Sequence, residues 1–537
     1  MFKRIKHIKL NFELIFLLYL LLISGYLMTG CNEDDLLTKH PLDRPNRSNF
    51  FVDASTARDA VNAIPAFWQQ HYTMYNRYMN TYLDVLTDDS FVRENEPWRT
   101  EFNRWTFNAN HILINEWWDY IYRSINAANF AIDYIPASSD PGFTEDYQAP
   151  YLAVAKLWRA FDYLYLTSFW GDVPLHMHFT EEIEYFYIPR TNKDSVMQFI
   201  ISDLKYARKY LPDRWTGPDE GLPGKAAAAG LLTRAYLYNH DFVHAETAAA
   251  EAIQIADRSG YGLMDDYEYM MSEESQPNKE FILSLGYLPD DENVSLEAII
   301  ERLPRDLPGP VASIYGVGWG YALPTRNLYD AFEPNDPRRK YTMFAPGDFY
   351  GIYSGPTKTE NGITYNQGDS VFYQKGWSPT NLNTRKIWAP VNKTADPMKS
   401  GYDIPLLRYA ELRLYYAEAL AGNNKPEEAV HQLNIIRSRP SVNMPPLDAS
   451  GDVMALVRHE RRVELAMEGI RIFDLLRWDK LGDVIGEGPN PEKILIRLND
   501  DNTYKQTNLE LPKNKLFPVP QLEIDRNPLI NKQNPGW

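Results

Sequence analysis

The sequence predicts a mainly α fold: a scaffold of paired helices with a large loop-rich region and a few short β-hairpins. Three observations support this. Long stretches carry apolar residues at helical spacing, and two of them repeat one helix-turn-helix pattern. Between about residues 265 and 404 helical spacing fades while Gly, Pro and aromatic residues become frequent. With 537 residues, 44% of them hydrophobic, the chain can form one large core or two to three domains.

The first 30 residues have the layout of a secretory signal peptide. Lys3, Arg4, Lys6 and Lys9 precede an apolar run of about 15 residues, whereas a bilayer-spanning helix needs roughly 20. Small residues follow, and the segment ends at Cys31, the only cysteine of the chain. This layout resembles a bacterial lipoprotein signal, which implies that Cys31 becomes an acylated N-terminus.

Residues 31–50 are polar, contain prolines and lack apolar periodicity, so we expect a tether. The acidic run at 32–35 resembles the export tag of Bacteroidetes-type lipoproteins, which implies an outward-facing location. A net charge of −17 disfavours binding to nucleic acid. Because there is one cysteine, no internal disulfide can form.

Helices are next predicted in the first half of the folded body. They are expected over residues 55–70, 117–134, 151–169 and 194–211. Gly171 and Pro174 should end the third of these helices. Asp194 is the predicted N-cap of the fourth, and Pro212 lies just past its end.

Two later stretches resemble each other. Residues 231–256 read LLTRAYLYNHDFVHAETAAAEAIQIA, and residues 412–437 read LRLYYAEALAGNNKPEEAVHQLNIIR. Each predicts a helix, a short polar turn and a second helix, with Ala245 or Ala429 where the two helices would touch. The pattern resembles the tetratricopeptide unit, in which helix pairs bury a face by stacking on their neighbours.

The loop-rich stretch is rich in aromatic rings and contains short alternating runs. Residues 363–365 and 370–374, joined through 366–369, predict a small β-hairpin. The chain holds 36 Tyr and 13 Trp, and such rings offer large contact area at low entropic cost. Part of this ring surplus is therefore expected on a recognition surface.

The C-terminal half carries the clearest family resemblance. Residues 458–481 read RHERRVELAMEGIRIFDLLRWDKL, and residues 516–537 read LFPVPQLEIDRNPLINKQNPGW. Other segments agree in order, including WWDYIYRSINAANFAI, FWGDVP, SDLKYARKYLP, GKAAAAGLLTRAYLY and RYAELRLYYAEAL. Together they resemble the SusD/RagB family of outer-membrane nutrient-binding lipoproteins, over nearly the whole mature chain.

The resemblance implies a non-catalytic, cofactor-free lid on a SusC-like TonB-dependent outer-membrane transporter, which captures oligosaccharides at the cell surface. It also implies an N-terminal helical region over residues 51–264 and a C-terminal region over 265–537, with a ligand-binding insertion at 265–404. Two other hypotheses stay open. The same lid could carry peptides, or the many carboxylates could belong to a surface glycosidase.

Candidate ligand residues follow from the chemistry of sugars, which present apolar C–H faces and hydroxyl edges. A binder therefore needs exposed Trp or Tyr rings flanked by Asn, Asp or Arg. Two stretches fit, residues 88–105 and 315–326, and the resemblance implies an aromatic arc built from roughly these regions. The predicted contact residues are Trp98, Trp319, Tyr321, Trp377, Asn103 and Arg93.

Two other polar clusters are interpreted as structural. Three opposite-charge pairs stand three residues apart on a predicted helix: Arg461 with Glu464, Glu468 with Arg471, and Asp474 with Arg477. Arginines lower carboxyl pKa values, which does not suit a catalytic acid. His176 and His178 lack a third ligand at a recognised spacing, so no metal site is predicted.

Overall fold

The computed structural model describes residues 53–69, 78–138, 140–180, 183–288, 320–353, 355–360, 362–386, 401–486 and 496–537. These residues fall within one structural unit, Asp53–Trp537. The predictions for the signal peptide, the tether, Cys31 and Trp319 lie outside the described residues.

The described chain is mainly helical, which confirms the predicted fold class. The α-helices are α1 (Ala54–Ala63), α2 (Tyr78–Val85), α3 (Pro97–Arg104), α4 (Ile112–Tyr134), α5 (Glu145–Trp170), α6 (Ile183–Phe186), α7 (Lys193–Tyr210), α8 (Lys225–Tyr238), α9 (Phe242–Arg258), α10 (Tyr267–Met270), α11 (Arg326–Tyr329), α12 (Arg338–Thr342), α13 (Tyr409–Gly422), α14 (Pro426–Arg437), α15 (Val453–Glu464), α16 (Arg471–Arg477), α17 (Leu481–Ile485) and α18 (Gln521–Arg526). Among these helices, none is both long and apolar enough to cross a bilayer.

Short strands pair in twos, always antiparallel. The pairs are β1 (Ser90–Phe91) with β5 (Leu323–Pro324), β2 (Val173–Pro174) with β3 (Arg190–Thr191), β4 (Phe281–Leu285) with β12 (Ile404–Arg408), β6 (Met343–Phe344) with β11 (Asn383–Thr384), β7 (Phe349–Ile352) with β10 (Ser370–Phe372), β8 (Lys358–Glu360) with β9 (Ile363–Tyr365), and β13 (Ile496–Arg497) with β14 (Tyr504–Lys505).

The long helices α4, α5 and α7 form the centre of the N-terminal half. Helix α5 is buried along most of its length and ends at Gly171, whose φ of 72° suits a residue without a Cβ. Helix α7 confirms the helix predicted over residues 194–211, but the predicted N-cap residue, Asp194, is wrong. Asn192, and not Asp194, accepts a hydrogen bond from the Ser195 N–H, because the helix begins one residue earlier than predicted.

The two predicted helix pairs are confirmed as α8 with α9 and α13 with α14. Helices α9 and α13 also pack together, so the pairs are stacked neighbours. The contact is close because Gly422 of α13 has no side chain: a Cβ there would lie 2.5 Å from the ring of Phe242 on α9. Such stacking buries faces that one pair alone would leave in water.

The predicted hairpin is right in its strands and wrong in its pairing. Strand β9 pairs with β8, and β10 pairs with β7, so the two predicted strands are not partners. The turn between them is held by other contacts: the Gly368 N–H donates to the Tyr353 carbonyl at 2.8 Å, and the Asn366 N–H donates to the Asp369 carboxylate at 2.7 Å. These bonds direct each strand to a different neighbour.

The charged stretch at 458–481 is not one helix. Helix α15 ends at Glu464, and the chain turns through Met467 and Gly469, with φ of 61° and 74°, before α16 begins. Of the three predicted ion pairs, only Asp474 with Arg477 forms, at 2.8 Å. The other two are wrong for different reasons: Arg461 and Glu464 share α15 but bind other partners, whereas the break at 465–470 removes the helical spacing between Glu468 and Arg471.

Buried ion pairs replace the predicted surface pairs. The Glu464 carboxylate accepts hydrogen bonds from Arg338, Arg408 and Arg439 at 3.0, 2.8 and 3.0 Å. Arg461 instead pairs with Asp474 at 2.9 Å. We call the first group, with Glu280, Glu460, Glu468, Lys386 and Arg437, the charge centre. It joins α12, α14 and α15 to strands β4 and β12.

Candidate ligand-binding surface

Pairing of β1 with β5 brings the two predicted ligand stretches together. Ser90 lies opposite Pro324, and Phe91 lies opposite Leu323. The Thr325 N–H adds a hydrogen bond of 3.0 Å to the Asp89 carbonyl. Residues 90–105 and 321–325, which are more than 200 positions apart in sequence, therefore meet at one place.

Helix α3 presents Trp98 at this place. Pro97 occupies its first turn, where the missing N–H has no helical partner to lose, and Trp105 ends it with a φ of 61°. The Trp98 side chain is half-buried, and its ring packs on that of Tyr82 with centroids 5.4 Å apart.

Arg99 joins the two predicted aromatic residues. Its Cζ lies 4.5 Å from the ring centroid of Trp98 and 3.7 Å from that of Tyr321, and its Nε donates to the Tyr82 hydroxyl at 2.9 Å. Guanidinium contacts of this kind are worth about 0.5–2 kcal/mol each. Arg99 is buried, so it fixes the rings and is not itself displayed.

Asn95 completes the cluster at the exposed side. Its Nδ2 donates to the Tyr321 hydroxyl at 3.2 Å, and its Oδ1 accepts from Arg99 Nη1 at 3.3 Å. Asn95 is exposed, so its amide has an edge in water. Trp98, Arg99, Tyr321 and Asn95, with Tyr82 behind them, are called the aromatic shelf below.

Buried charges hold the backbone that carries the shelf. The carboxylates of Asp88 and Asp89 bind Arg462 at 2.7 and 2.9 Å, and Arg471 binds Asp88 at 2.6 Å. Burial alone would raise the pKa of Asp88, but the charges of Arg462 and Arg471 outweigh it and lower the pKa. The Lys505 ammonium donates to the carbonyls of Val85, Thr87 and Ser90 on the same segment.

The other predicted contact residues have different environments. Asn103 is fully buried, and its Nδ2 donates to Glu94 at 2.9 Å, which anchors the backbone ahead of α3. Arg93 is half-buried, and its positive charge opposes the rise that burial causes in the pKa of Tyr373. Trp377 is 5% exposed and packs on the rings of Tyr350 and Tyr373, with centroids 5.7 and 5.2 Å away.

Asn103 and Trp377 therefore do not offer a surface to a ligand, and we leave both out of the shelf. Tyr321 is also only 5% exposed, and it contributes as the base on which Arg99 rests. Sequence reasoning did not select Arg99, Asn95 or Tyr82 as contact residues. The position of Arg99 directly after Trp98 is the one local signal that could have indicated its role.

No metal site is found in the described ranges: no three His, Cys, Asp or Glu side chains converge there. His178 Nδ1 instead lies 3.1 Å from the Asp133 carboxylate, at an exposed position. The His176 ring faces a separate cavity. The shelf presents the half-buried indole of Trp98 and the exposed amide of Asn95, backed by the buried side chains of Arg99, Tyr321 and Tyr82.

Comparison with known families agrees with this architecture. A family model described as the SusD family matches residues 308–537, and a second, described as starch-binding associating with outer membrane, matches residues 42–237. The chain belongs to the SusD/RagB family. This family member is 26% identical to SusD-like protein P2 from Formosa agariphila, over 95% of this chain and 97% of that protein.

Solved structures show the same fold. A laminarin binding SusD-like protein superposes with a TM-score of 0.72 at 22% identity, covering 91% of this SusD/RagB-family chain and 100% of that chain. Surface glycan-binding protein A from Bacteroides thetaiotaomicron, solved in complex with laminarihexaose, gives a TM-score of 0.70 at 20% identity, covering 90% and 99%. Similarity at this level of identity establishes the fold.

Proposed function

We propose that this protein is a non-catalytic, surface-exposed outer-membrane lipoprotein that binds oligosaccharides at the aromatic shelf and delivers them to a SusC-like TonB-dependent transporter. The stack of Trp98, Arg99 and Tyr321 carries the proposal, because it holds an indole edge and an amide at one exposed place. A pyranose offers an apolar face to such a ring and hydroxyls to such an amide. Trp319 stays a proposed contact on the basis of the family resemblance.

The carboxylates of Asp88 and Asp89, on the segment that carries the shelf, fit a non-catalytic role. Asp88 and Asp89 are 3% and 1% exposed, and both are bound by Arg462. A glycosidase acid must reach the glycosidic oxygen and keep a raised pKa. Asp88 meets neither condition, and burial raises the pKa of Asp89 at a place closed to a substrate.

Calorimetric titration with laminarihexaose and other oligosaccharides tests the binding. The wild-type protein should bind at least one of them, and Trp98→Ala should weaken binding by about 1–3 kcal/mol. Trp215→Ala is the matched control, because Trp215 is also half-buried. Its indole N–H donates to the Pro223 carbonyl and its ring packs on Tyr151, in another part of the fold. Equal affinities for the two variants would remove Trp98 from the site.

The same samples separate the other two hypotheses. Binding of a neutral glycan should change little between 50 and 500 mM salt, whereas a basic peptide held by acidic groups would weaken strongly. Incubation with oligosaccharide should release no new reducing ends. Salt-sensitive peptide binding without glycan binding would favour peptide cargo, and hydrolysis lost on a single carboxylate change would establish a glycosidase.

The anchor and the transporter have separate tests. Cys31→Ala should move the protein out of the membrane fraction, whereas retention there would indicate an uncleaved apolar segment. Affinity purification from detergent-solubilised outer membranes should recover one TonB-dependent transporter with the wild-type chain. Recovery of the chain alone, under conditions that preserve such transporters, would contradict the lid role.

A further inference from the structure

A cavity lies apart from the aromatic shelf. It has a volume of about 610 Å³, within the range of small-molecule sites. One wall is α4, and the other is formed by residues 174–179 and 186–187. Residues lining it include Trp118, Tyr122, Phe130, Phe179, Phe186 and His176.

The two walls are fixed to each other by hydrogen bonds. The Tyr122 hydroxyl donates to the Pro174 carbonyl at 2.9 Å, and Asn129 Nδ2 donates to the carbonyls of His176 and His178 at 3.0 and 3.1 Å. Asn126 exchanges two further bonds with the Thr180 backbone, at 3.3 and 3.1 Å. The cavity is therefore formed before any ligand arrives, which lowers the entropic cost of binding.

Most polar groups in the lining are already engaged. Tyr122 and Asn126 bind the opposite wall, Glu523 accepts from Asn527 at 3.1 Å, and Asp119 pairs with Arg123 at 2.8 Å. The His176 ring packs against Tyr122 and Phe186, and its nitrogens receive no hydrogen bond from the described part of the chain. An occupant thus finds rings on several sides, with the His176 imidazole and the Tyr187 hydroxyl as polar partners.

Three ordinarily charged side chains line the cavity: Asp119, Arg123 and Glu523. Asp119 and Arg123 compensate each other at the rim. Burial lowers the pKa of His176 to about 4, so its imidazole is neutral near pH 7. Burial raises the pKa of the Glu523 carboxyl, although hydrogen bonds from Asn527 and Trp118 oppose the shift. A charged ligand would lose its hydration, and the charged side chains of the lining already have partners: Asp119 binds Arg123, and Glu523 accepts from Asn527.

We propose that this cavity is a binding site for a small uncharged molecule with an aromatic or aliphatic body and a single polar group that reaches His176. A glycan does not fit this description, because most of its hydroxyls would be buried without partners. The site is distinct from the aromatic shelf and does not depend on the oligosaccharide function.

Fluorescence titration with N-phenyl-1-naphthylamine tests the proposal, since this probe is uncharged, largely aromatic and carries one N–H. The purified wild-type protein should give a saturable signal with one site per chain. Ala127→Trp, which fills the cavity from α4, should weaken binding at least tenfold. Phe186→Ala should weaken it several-fold, and it removes a partly exposed ring that the fold does not need for its core.

Phe372→Ala is the matched control, because Phe372 is a similarly exposed ring on β10, outside the cavity lining. It should leave the probe affinity unchanged, and an excess of laminarihexaose should not displace the probe. A wild-type protein without a saturable signal, equal binding by Ala127→Trp, or displacement by the oligosaccharide would each overturn the proposal. None of these results alters the test at Trp98.

Discussion

At the scale of single residues, Arg99 does the most to shape the aromatic shelf. Its guanidinium lies between Trp98 and Tyr321, and its Nε binds Tyr82. A planar, delocalised cation can stack on two rings and still donate in its plane, and a lysine ammonium cannot. The rings therefore depend on the shape of the Arg99 side chain as well as on its charge.

Arg99→Lys should weaken oligosaccharide binding by about 1 kcal/mol, or roughly fivefold, while the protein stays folded. The loss is expected because the planar guanidinium between Trp98 and Tyr321 is removed, although the net charge is kept. Calorimetric titration measures it. Arg208→Lys is the control, since Arg208 pairs with Glu251 at 2.6 Å on another surface. Unchanged affinity in Arg99→Lys would show that charge alone suffices.

Lys505 supports the same shelf from inside and titrates near neutrality. Burial lowers its pKa to about 7, although the negative charges of Asp88, Glu94 and Asp89 oppose this shift. The unfolded chain has the ordinary pKa of 10.5, so between pH 7 and 10.5 the unfolded state binds more protons than the folded state. The contribution of Lys505 to the free energy of unfolding therefore rises with pH over this window and is constant below it.

Urea unfolding of the wild type and of Lys505→Met measures this contribution. The difference in unfolding free energy, wild type minus variant, should rise by at most about 1.4 kcal/mol per pH unit between pH 7 and 10. The contributions of other titrating groups to the free energy of unfolding cancel in this difference. Lys505→Gln, which keeps a polar group but does not titrate there, should give the same slope. A difference that falls as pH rises would contradict a lowered pKa.

At the scale of elements, local pattern predicted helices well and strand partners poorly. The pairs α8–α9 and α13–α14 were predicted from one repeated helix-turn-helix pattern, in which α9 and α14 bury one face while α8 and α13 are buried on nearly all sides. The strands of residues 363–365 and 370–372 were also predicted, but not their partners. Hydrogen bonds of the turn, to the Tyr353 carbonyl and the Asp369 carboxylate, determine which strand each one pairs with. Such tertiary contacts leave no periodic signal in the chain.

The candidate site shows the same division. Trp98 and Tyr321 could be selected by ring chemistry and family resemblance, and the pairing of β1 with β5 does bring their stretches together. Burial could not be read from composition: Trp377 and Tyr321 differ little from Trp98 in sequence context, yet both are 5% exposed. Which ring faces water depends on packing of distant segments.

Gly422 offers a direct test of how the helix pairs stack. Gly422→Ala places a methyl group 2.5 Å from the Phe242 ring, which should destabilise the protein by about 1–3 kcal/mol despite the better helix propensity of alanine. Chemical denaturation measures the loss. In Phe242→Ala the space is open, so adding Gly422→Ala should cost almost nothing. Additive effects in this double-mutant cycle would show that the two helices are not in contact there.

At the scale of the whole molecule, the charge centre connects segments that are far apart in sequence. Glu280 lies just before β4, Arg408 at the end of β12, Arg338 on α12, Arg439 just beyond α14, and Glu464 at the end of α15. Each is almost completely buried, so each charge depends on its partners for stability. The fold is thereby tied together by long-range ion pairs. Of the residues that form them, the sequence pattern indicated only Glu464 and Glu468, each with a local partner.

Glu464→Gln should lower the free energy of unfolding by about 3–5 kcal/mol near pH 7, because Arg338, Arg408 and Arg439 would share one charge fewer. Burial alone would raise the pKa of Glu464, but these three arginines and Lys386 hold it well below its ordinary 4.5. The carboxylate therefore stabilises the fold above pH 4.5, and the difference in unfolding free energy between wild type and variant should shrink as pH falls below that value.

The control is Glu428→Gln, at an exposed position, which should change the free energy of unfolding by less than about 0.5 kcal/mol. A gap independent of pH would mean that lost packing, and not lost charge, accounts for the effect.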